Sequence, residues 1–214
     1  MLIRQLELGA DKVFCYVLAC EETKEAVVID PCGEEEKLLA VIGALQLNPL
    51  FIINTHCHPD HTCGNKVIKE ATGASIVRHA DDELLLHDPG AKDYFPRQGF
   101  APSPPADILV KGDDYQLRFG KYTLNIIHTP GHSPGSICIY VDKNLFTGDS
   151  LFVGAAGRVD VPGGDFTTLI DSLAAKIAVL PDDTKIWPGH DYGDSKTSSV
   201  GREKKENPYL GGEW

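Results

Sequence analysis

Residues Thr55-His56-Cys57-His58-Pro59-Asp60-His61 set three imidazoles and one carboxylate within six positions. The apolar run Leu50–Ile53 leads into them through Asn54. Such a run reads as a buried strand, so the cluster sits just past a strand end. His56 and His58 are two apart and face the same way on extended chain. Pro59 turns the chain, after which Asp60 and His61 can aim at a neighbouring point. A buried group of this composition is costly without a cation.

Three further segments occupy the same position relative to a predicted strand. Gly131-His132-Ser133 follows the strand ending near Ile127, Thr147-Gly148-Asp149 follows Leu145–Phe146, and Pro188-Gly189-His190 follows Ile186–Trp187. Together the four segments supply five histidines and two aspartates. Neutral imidazole and carboxylate suit zinc, iron or manganese. Seven ligands exceed one tetrahedral ion but fit two ions roughly 3.5–4 Å apart that share a carboxylate. Glycines beside His132, Asp149 and His190 let backbones crowd around such a site. Cys57 lies between two candidate ligands, yet strand alternation turns it away from them. Neither Cys57 nor Cys63 is expected to bind metal.

Outward from the cluster, strands are predicted over 2–8 and 13–19, then a short buried strand over 26–29 broken by Asp30-Pro31-Cys32-Gly33. A helix is predicted over 34–46, with Leu38, Leu39, Ile42 and Leu45 at helical spacing and Asn48-Pro49 ending it. Helices over 64–72 and 81–86 flank a strand over 74–77. Residues 88–106 carry five prolines and two glycines with no clear period, which predicts an irregular loop acting as a lid or substrate wall. Strands follow over 108–110, 115–119, 122–127, 137–141 and 145–147, an amphipathic helix over 166–180, and a last strand over 185–187. Ser195 to Trp214 reads as a short helix and a polar tail. Runs of strands with interspersed helices predict sheets covered on their outer faces, not a doubly wound parallel sheet. One domain over 1–214 is expected.

Acids outnumber bases 31 to 20, a formal charge of −11, which disfavours nucleic-acid binding and docking to an anionic membrane. No stretch approaches the roughly 20 apolar residues of a membrane span. Val17-Leu18-Ala19-Cys20 has the form of a lipoprotein cleavage site, but no cationic start precedes it, and a plain strand is expected. With no C-x-x-C pair, the six cysteines read as reduced thiols in a cytoplasm.

The motifs T-H-C-H-P-D-H, H-T-P-G-H-S-P-G-S, F-T-G-D and P-G-H, in this order, resemble the metallo-β-lactamase superfamily over nearly the whole chain. The resemblance implies an αββα sandwich, two packed mixed sheets with outer helices and metals at one edge. It implies one ion on His56, His58 and His132 and a second on Asp60, His61 and His190, with Asp149 bridging. The cofactor expected is two divalent ions, zinc first, with iron or manganese as alternatives. His128 matches no ligand position and reads as structural.

Within the superfamily, Asp149-Ser150-Leu151-Phe152, Gly157-Arg158-Val159-Asp160 and the segment 201–210 look like short glyoxalase II-like hydrolases. That resemblance implies cleavage of a thioester or related activated ester by a metal-bound hydroxide, with Asp60 orienting the second metal and the nucleophile. Only 24 residues follow His190, too few for the helical domain with which classical glyoxalase II holds glutathione. Arg158, Arg202, Lys204 and Lys205 are then candidate contacts to a small anionic thioester, although Arg158 with Asp160 also reads as an ion pair. The alternative is a mononuclear-iron persulfide dioxygenase of the same fold, with iron on His56, His132 and Asp149. Ala155-Ala156 stands where those enzymes typically carry a Gly-Cys pair. Flavodiiron proteins place a glutamate where this chain has His58. The oligomeric state is left open.

Overall fold

The computed structural model describes residues 1–9, 11–113 and 115–211. Among them, the first six strands form one mixed sheet in chain order: β1 (Leu2–Leu8), β2 (Val13–Ala19), β3 (Glu25–Ile29), β4 (Asn48–Ile53), β5 (Ser75–His79) and β6 (Ile108–Val110). β1 to β3 pair antiparallel, and β3 to β6 pair parallel through helical crossovers. The second sheet contains β7 (Tyr115–Phe119), β8 (Tyr122–His128), β9 (Ile137–Val141) and β10 (Asn144–Gly148). A short hairpin of β11 (Leu151–Phe152) and β12 (Ala155–Ala156) follows. β13 (Lys185–Pro188) and β14 (Ser198–Ser199) complete the second sheet, in the order β14-β13-β10-β9-β8-β7.

β2 shows why two packed sheets result. All seven of its residues are buried. Phe14, Tyr16 and Leu18 face the second sheet and pack with Phe119, Leu124, Ile139 and Phe146. Val13, Cys15 and Val17 face the opposite layer, with Leu38 and Ile42 of helix Glu35–Ala44 and Ile68 of helix Asn65–Thr72. On the other outer face, Leu169, Leu173 and Ile177 cover Leu145 and Ile186. The layers are therefore helix, sheet, sheet, helix, the expected αββα sandwich. Among the described residues no helix is long and apolar enough to cross a membrane.

Several boundaries differ from expectation. β4 begins at Asn48, so Pro49 lies inside a strand, and the register with β3 shifts beside it, between Ala26 and Val27. Proline has no amide to give the ladder, which accounts for an irregularity there. The segment 88–106 is not wholly irregular: it contains helix Pro89–Tyr94 and a 3₁₀ turn Phe95–Gln98. Asp88 caps that helix by accepting from the amides of Gly90 (2.8 Å) and Ala91 (3.2 Å). The 166–180 helix is regular only to Ser172 and widens into a π turn over Leu173–Ile177. After helices Val200–Glu206 and Pro208–Gly211, the expected tail lies outside the described residues.

Two buried charges tie the loops to this frame. Arg78 reaches Glu83 (2.7 Å), Asn54 Oδ1 (3.2 Å) and Ser103 Oγ (2.8 Å), anchoring the far end of the 88–106 segment. Asp82 accepts from the amides of Cys57 (2.7 Å) and Gly135 (2.6 Å) and from Ser133 Oγ (3.0 Å). It thus joins the loop after β4 to the loop after β8. Asp82→Ala leaves three buried donors without their acceptor, and about 3–5 kcal/mol of stability should be lost. Thermal unfolding should shift down by about 10 °C or more, and an unchanged midpoint would remove Asp82 from this role.

Candidate metal centre

Four strands end at the same edge of the sandwich, and each releases a loop carrying ligand-type side chains. β4 leads to the 55–61 segment, β8 to His132, β10 to Asp149 and β13 to His190. The edge is closed by a bridge between Val13 and His190, by the Phe14 amide donating to Gly189 O (2.8 Å), and by Tyr16 Oη donating to Pro188 O (2.5 Å). Close approach requires glycine at two of these turns. A Cβ on Gly148, which has φ +49°, would fall 2.3 Å from Thr55 Oγ1, and one on Gly189 would fall 2.3 Å from Asp149 Oδ1.

All seven expected ligands meet there. Donor atoms lie within 4.8 Å of one another in three overlapping groups: His56, His58 and His132; His56, His61 and Asp149; and Asp60, His61 and His190. His132 Nε2 is 2.9 Å from His58 Nδ1 and 3.7 Å from Asp149 Oδ2. His61 Nε2 is 3.1 Å from His190 Nε2, 3.3 Å from Asp149 Oδ1 and 3.5 Å from Asp60 Oδ2. Donors around a tetrahedral ion with bonds of ~2.0–2.1 Å stand about 3.3 Å apart, the middle of this range. His56 Nε2 and Asp149 Oδ1, from residues of one ligand group, are buried without a hydrogen-bond partner. Unpartnered lone pairs gathered in one place fit a cation. His128 lies in a different cluster, with His79 and Asp81.

The rings are aimed by oxygens behind them. His132 Nδ1–H donates to Arg158 O (2.7 Å) and His190 Nδ1–H to Asp11 O (2.8 Å). His61 Nδ1–H faces Asp30 Oδ2 (3.1 Å). Each of these bonds turns the Nε2 of its ring inward. Burial and the neighbouring rings hold His56 and His58 well below the usual imidazole range. Burial also acts against a charge on His61, but Asp149, Asp60 and Asp30 outweigh it and raise the ring to about 10. Burial likewise opposes a charged Asp149, yet His190 and His61 hold its carboxyl well below the ordinary value.

Asp30 is the site residue that sequence reading passed over. It directly follows β3 with φ +48°, and besides His61 it accepts from the Thr55 amide (2.8 Å) and Thr55 Oγ1 (2.6 Å). Its position just past a buried strand is the signal that the ligands share. Asp30→Ala orphans three buried donors, so it should lower stability as Asp82→Ala does, and in protein still folded at the assay temperature it should weaken metal binding on the His61 side by about 10–100-fold, the usual cost of losing an orienting partner. Competition titration with a chromophoric chelator reads this, and unchanged affinity would show that the ring needs no such partner.

The ligands open onto a cleft of about 800 Å³, walled by Tyr94 and Phe100 of the 88–106 segment and by Phe152, Arg158 and Tyr192. That segment is therefore a wall of the cleft. Tyr192 stacks on His190 with ring centroids 4.5 Å apart. Phe100 also borders an apolar cavity of about 480 Å³, where Cys57 packs with Leu85, Ala91 and Phe95. Neither Cys57 nor Cys63 joins a ligand group among the described residues.

Of the four basic candidates for substrate contact, only Arg158 borders the cleft, paired to Asp160 at 2.7 and 2.8 Å. Arg202, Lys204 and Lys205 do not line it, against expectation. Their helix packs on the outer face through Val200. Arg202 is taken up by Asp194 and Glu206, both at 2.7 Å, Lys204 pairs with Asp182 (2.8 Å), and Lys205 is exposed.

The family model for the metallo-beta-lactamase superfamily matches residues 8–190. The human protein "Persulfide dioxygenase ETHE1, mitochondrial" is 35% identical over 213 residues, 98% of this chain and 76% of that one. "Probable metallo-hydrolase YqgX" of Bacillus subtilis (strain 168) is 33% identical over 212 residues, 98% and 97% of the two chains. The crystal structure of TTHA1623 in a di-iron-bound form superposes with a TM-score of 0.81 at 33% identity, covering 97% of this chain and 100% of that one. By motif order, fold, ligand geometry and these matches, the chain belongs to the metallo-beta-lactamase superfamily.

Proposed function

We propose that this chain is an iron enzyme that oxidises the persulfide of a small anionic thiol, which puts the alternative reading ahead of thioester hydrolysis. The observation that carries the proposal is similarity to a protein named a persulfide dioxygenase along 98% of the chain. The site is compatible with it. Two histidines and one carboxylate are an arrangement that suits iron with open positions. Here they would be His56, His132 and Asp149. Iron held there would supply the oxygen chemistry. The chain's own residues do the rest. Arg158 O fixes the His132 ring, Phe100, Phe152 and Tyr192 give the cleft apolar walls, and the Arg158 guanidinium would meet an anionic group at its edge. Oxygen uptake with glutathione persulfide by iron-loaded protein tests the reading. Uptake is expected, and its absence alongside turnover of S-lactoylglutathione would overturn it.

Two observations favour the second reading, a dinuclear thioester hydrolase. Asp60, His61 and His190 form a complete second ligand group beside the first. The metallo-hydrolase relative also matches nearly end to end. In that reading Asp60 would orient the second ion.

Arg158→Ala is expected to raise KM by about 2–5-fold with little change in kcat under either reading, since a single exposed ion contact contributes ~0.5–1 kcal/mol. Arg202→Ala should leave both constants unchanged. Steady-state kinetics of the two variants decide this, and the reverse ranking would return the C-terminal helix to the substrate.

A further inference from the structure

The apolar cavity of about 480 Å³ lies behind the metal-binding loop, bordered there by Cys57 and Pro59, and none of the seven metal ligands lines it. Its other walls come largely from the 88–106 segment. Phe95 packs its ring on His58, with centroids 5.3 Å apart, and Phe100 stands between this cavity and the catalytic cleft. A volume in this range holds a small organic molecule.

The interior offers little to a polar ligand. Leu86, Ala91, Phe95 and Phe100 supply carbon surface, and four prolines between 96 and 105 supply more. Proline has no amide to donate, so that stretch makes a wall poor in hydrogen-bond donors. The polar side chains of the lining are already engaged. Thr62 Oγ1 donates to His58 O (3.1 Å). Ser103 Oγ donates to Pro104 O (2.8 Å) and accepts from Arg78 (2.8 Å). Glu83, the one carboxylate among the lining residues, is paired to Arg78 at 2.7 Å. Burial, with the Asp82 carboxylate beside it, pushes the Cys57 thiol up and keeps it neutral.

The mouth is different. Lys92 and His87 both line the cavity and are exposed, and among the described residues neither side chain has an ion pair or hydrogen bond. The ammonium is a cation, and the imidazole can donate an N–H.

We propose that this cavity binds a free medium-chain carboxylate, its hydrocarbon tail against Phe95 and Phe100 and its head on Lys92 and His87. An apolar interior, donors at the mouth and no uncommitted carboxylate in the lining complement a molecule with one anionic end. A short acid would have the head without the tail, and an alcohol of equal length the tail without the charge. Binding there is independent of the chemistry that the metal centre carries out.

The test is calorimetric titration of the metal-loaded protein with hexanoate, octanoate and decanoate. Affinity should rise about fourfold with each added methylene that is buried. Lys92→Ala should weaken octanoate by about 2–5-fold, the range for an exposed ion contact, and leave 1-octanol unchanged. Carboxylates also bind metal ions, so the position is read separately, by carbon-13 NMR of alanine methyl groups in zinc-loaded wild type. Ala91 lines the cavity, whereas Ala155 and Ala156 line the catalytic cleft. Octanoate should shift the Ala91 resonance and leave the other two in place. Shifts confined to Ala155 and Ala156, an affinity that does not grow with chain length, or a Lys92→Ala protein that binds octanoate as wild type does would each overturn the proposal.

Discussion

Asp149→Asn is expected to strip the centre of metal and lower turnover by about 10²–10³-fold. The substitution keeps size but removes the charge and turns one acceptor oxygen into an N–H donor. Asp149 is buried, with one oxygen 3.3 Å from His61 Nε2 and the other 3.4 Å from His190 Nε2 and 3.7 Å from His132 Nε2. Removing one partner from a buried ionic contact costs about 3–5 kcal/mol, and each ~1.4 kcal/mol is tenfold in binding. Since Asp149 stands between the two ligand groups, the loss should appear whichever reading of the chemistry holds. Metal content by mass spectrometry and activity on either substrate class are the measurements, with circular dichroism to confirm the fold. A variant that kept its metal and came within tenfold of wild-type activity would place Asp149 outside the coordination sphere.

The residues that could be read in advance share a property that those missed lack. Three imidazoles and a carboxylate between His56 and His61 are local, and their position after an apolar run marks them as buried polar groups. His132, Asp149 and His190 follow strands in the same way. The mixed sheets could be read because β2 is apolar on both faces. Asp30 and Asp82 act through contacts 25 to 53 residues away, which no local pattern encodes. The basic run 202–205 misled for a related reason. Composition records charge but not direction, and in that helix the buried residues are Val200 and Glu203, so the cations point away from the cleft. Helix Pro89–Tyr94 was hidden by prolines and glycines that usually mark loops, although an Asp cap followed by Pro at the first helical position is itself a start signal. The choice between dioxygenase and hydrolase was not legible, because both chemistries use residues that this site contains.

That choice gives His61→Ala its value. His61 sits at the junction of the two ligand groups, with Nε2 near Asp60, Asp149 and His190 and Nδ1 on Asp30. In the one-iron reading its ring touches Asp149 but is not itself a ligand. The variant should then keep about one iron per chain, and persulfide-dependent oxygen uptake should fall by only ~10–100-fold, the range for loss of a supporting contact. In the two-metal reading His61 is a ligand. Metal content should then drop from about two to about one, and thioesterase activity should fall well beyond that range, because two-metal hydrolysis needs both ions on the reacting oxygens. The deleted ring leaves a cavity beside Asp30, so thermal unfolding must show that the variant is folded at the assay temperature. Metal counts and the two assays move together in either reading, so a mixed result has a meaning too. Loss of an ion with oxygen uptake intact would make the second ion structural. Retention of about one iron with no uptake at all would make His61 a participant in the oxidation itself, and would overturn the supporting role assigned to it here.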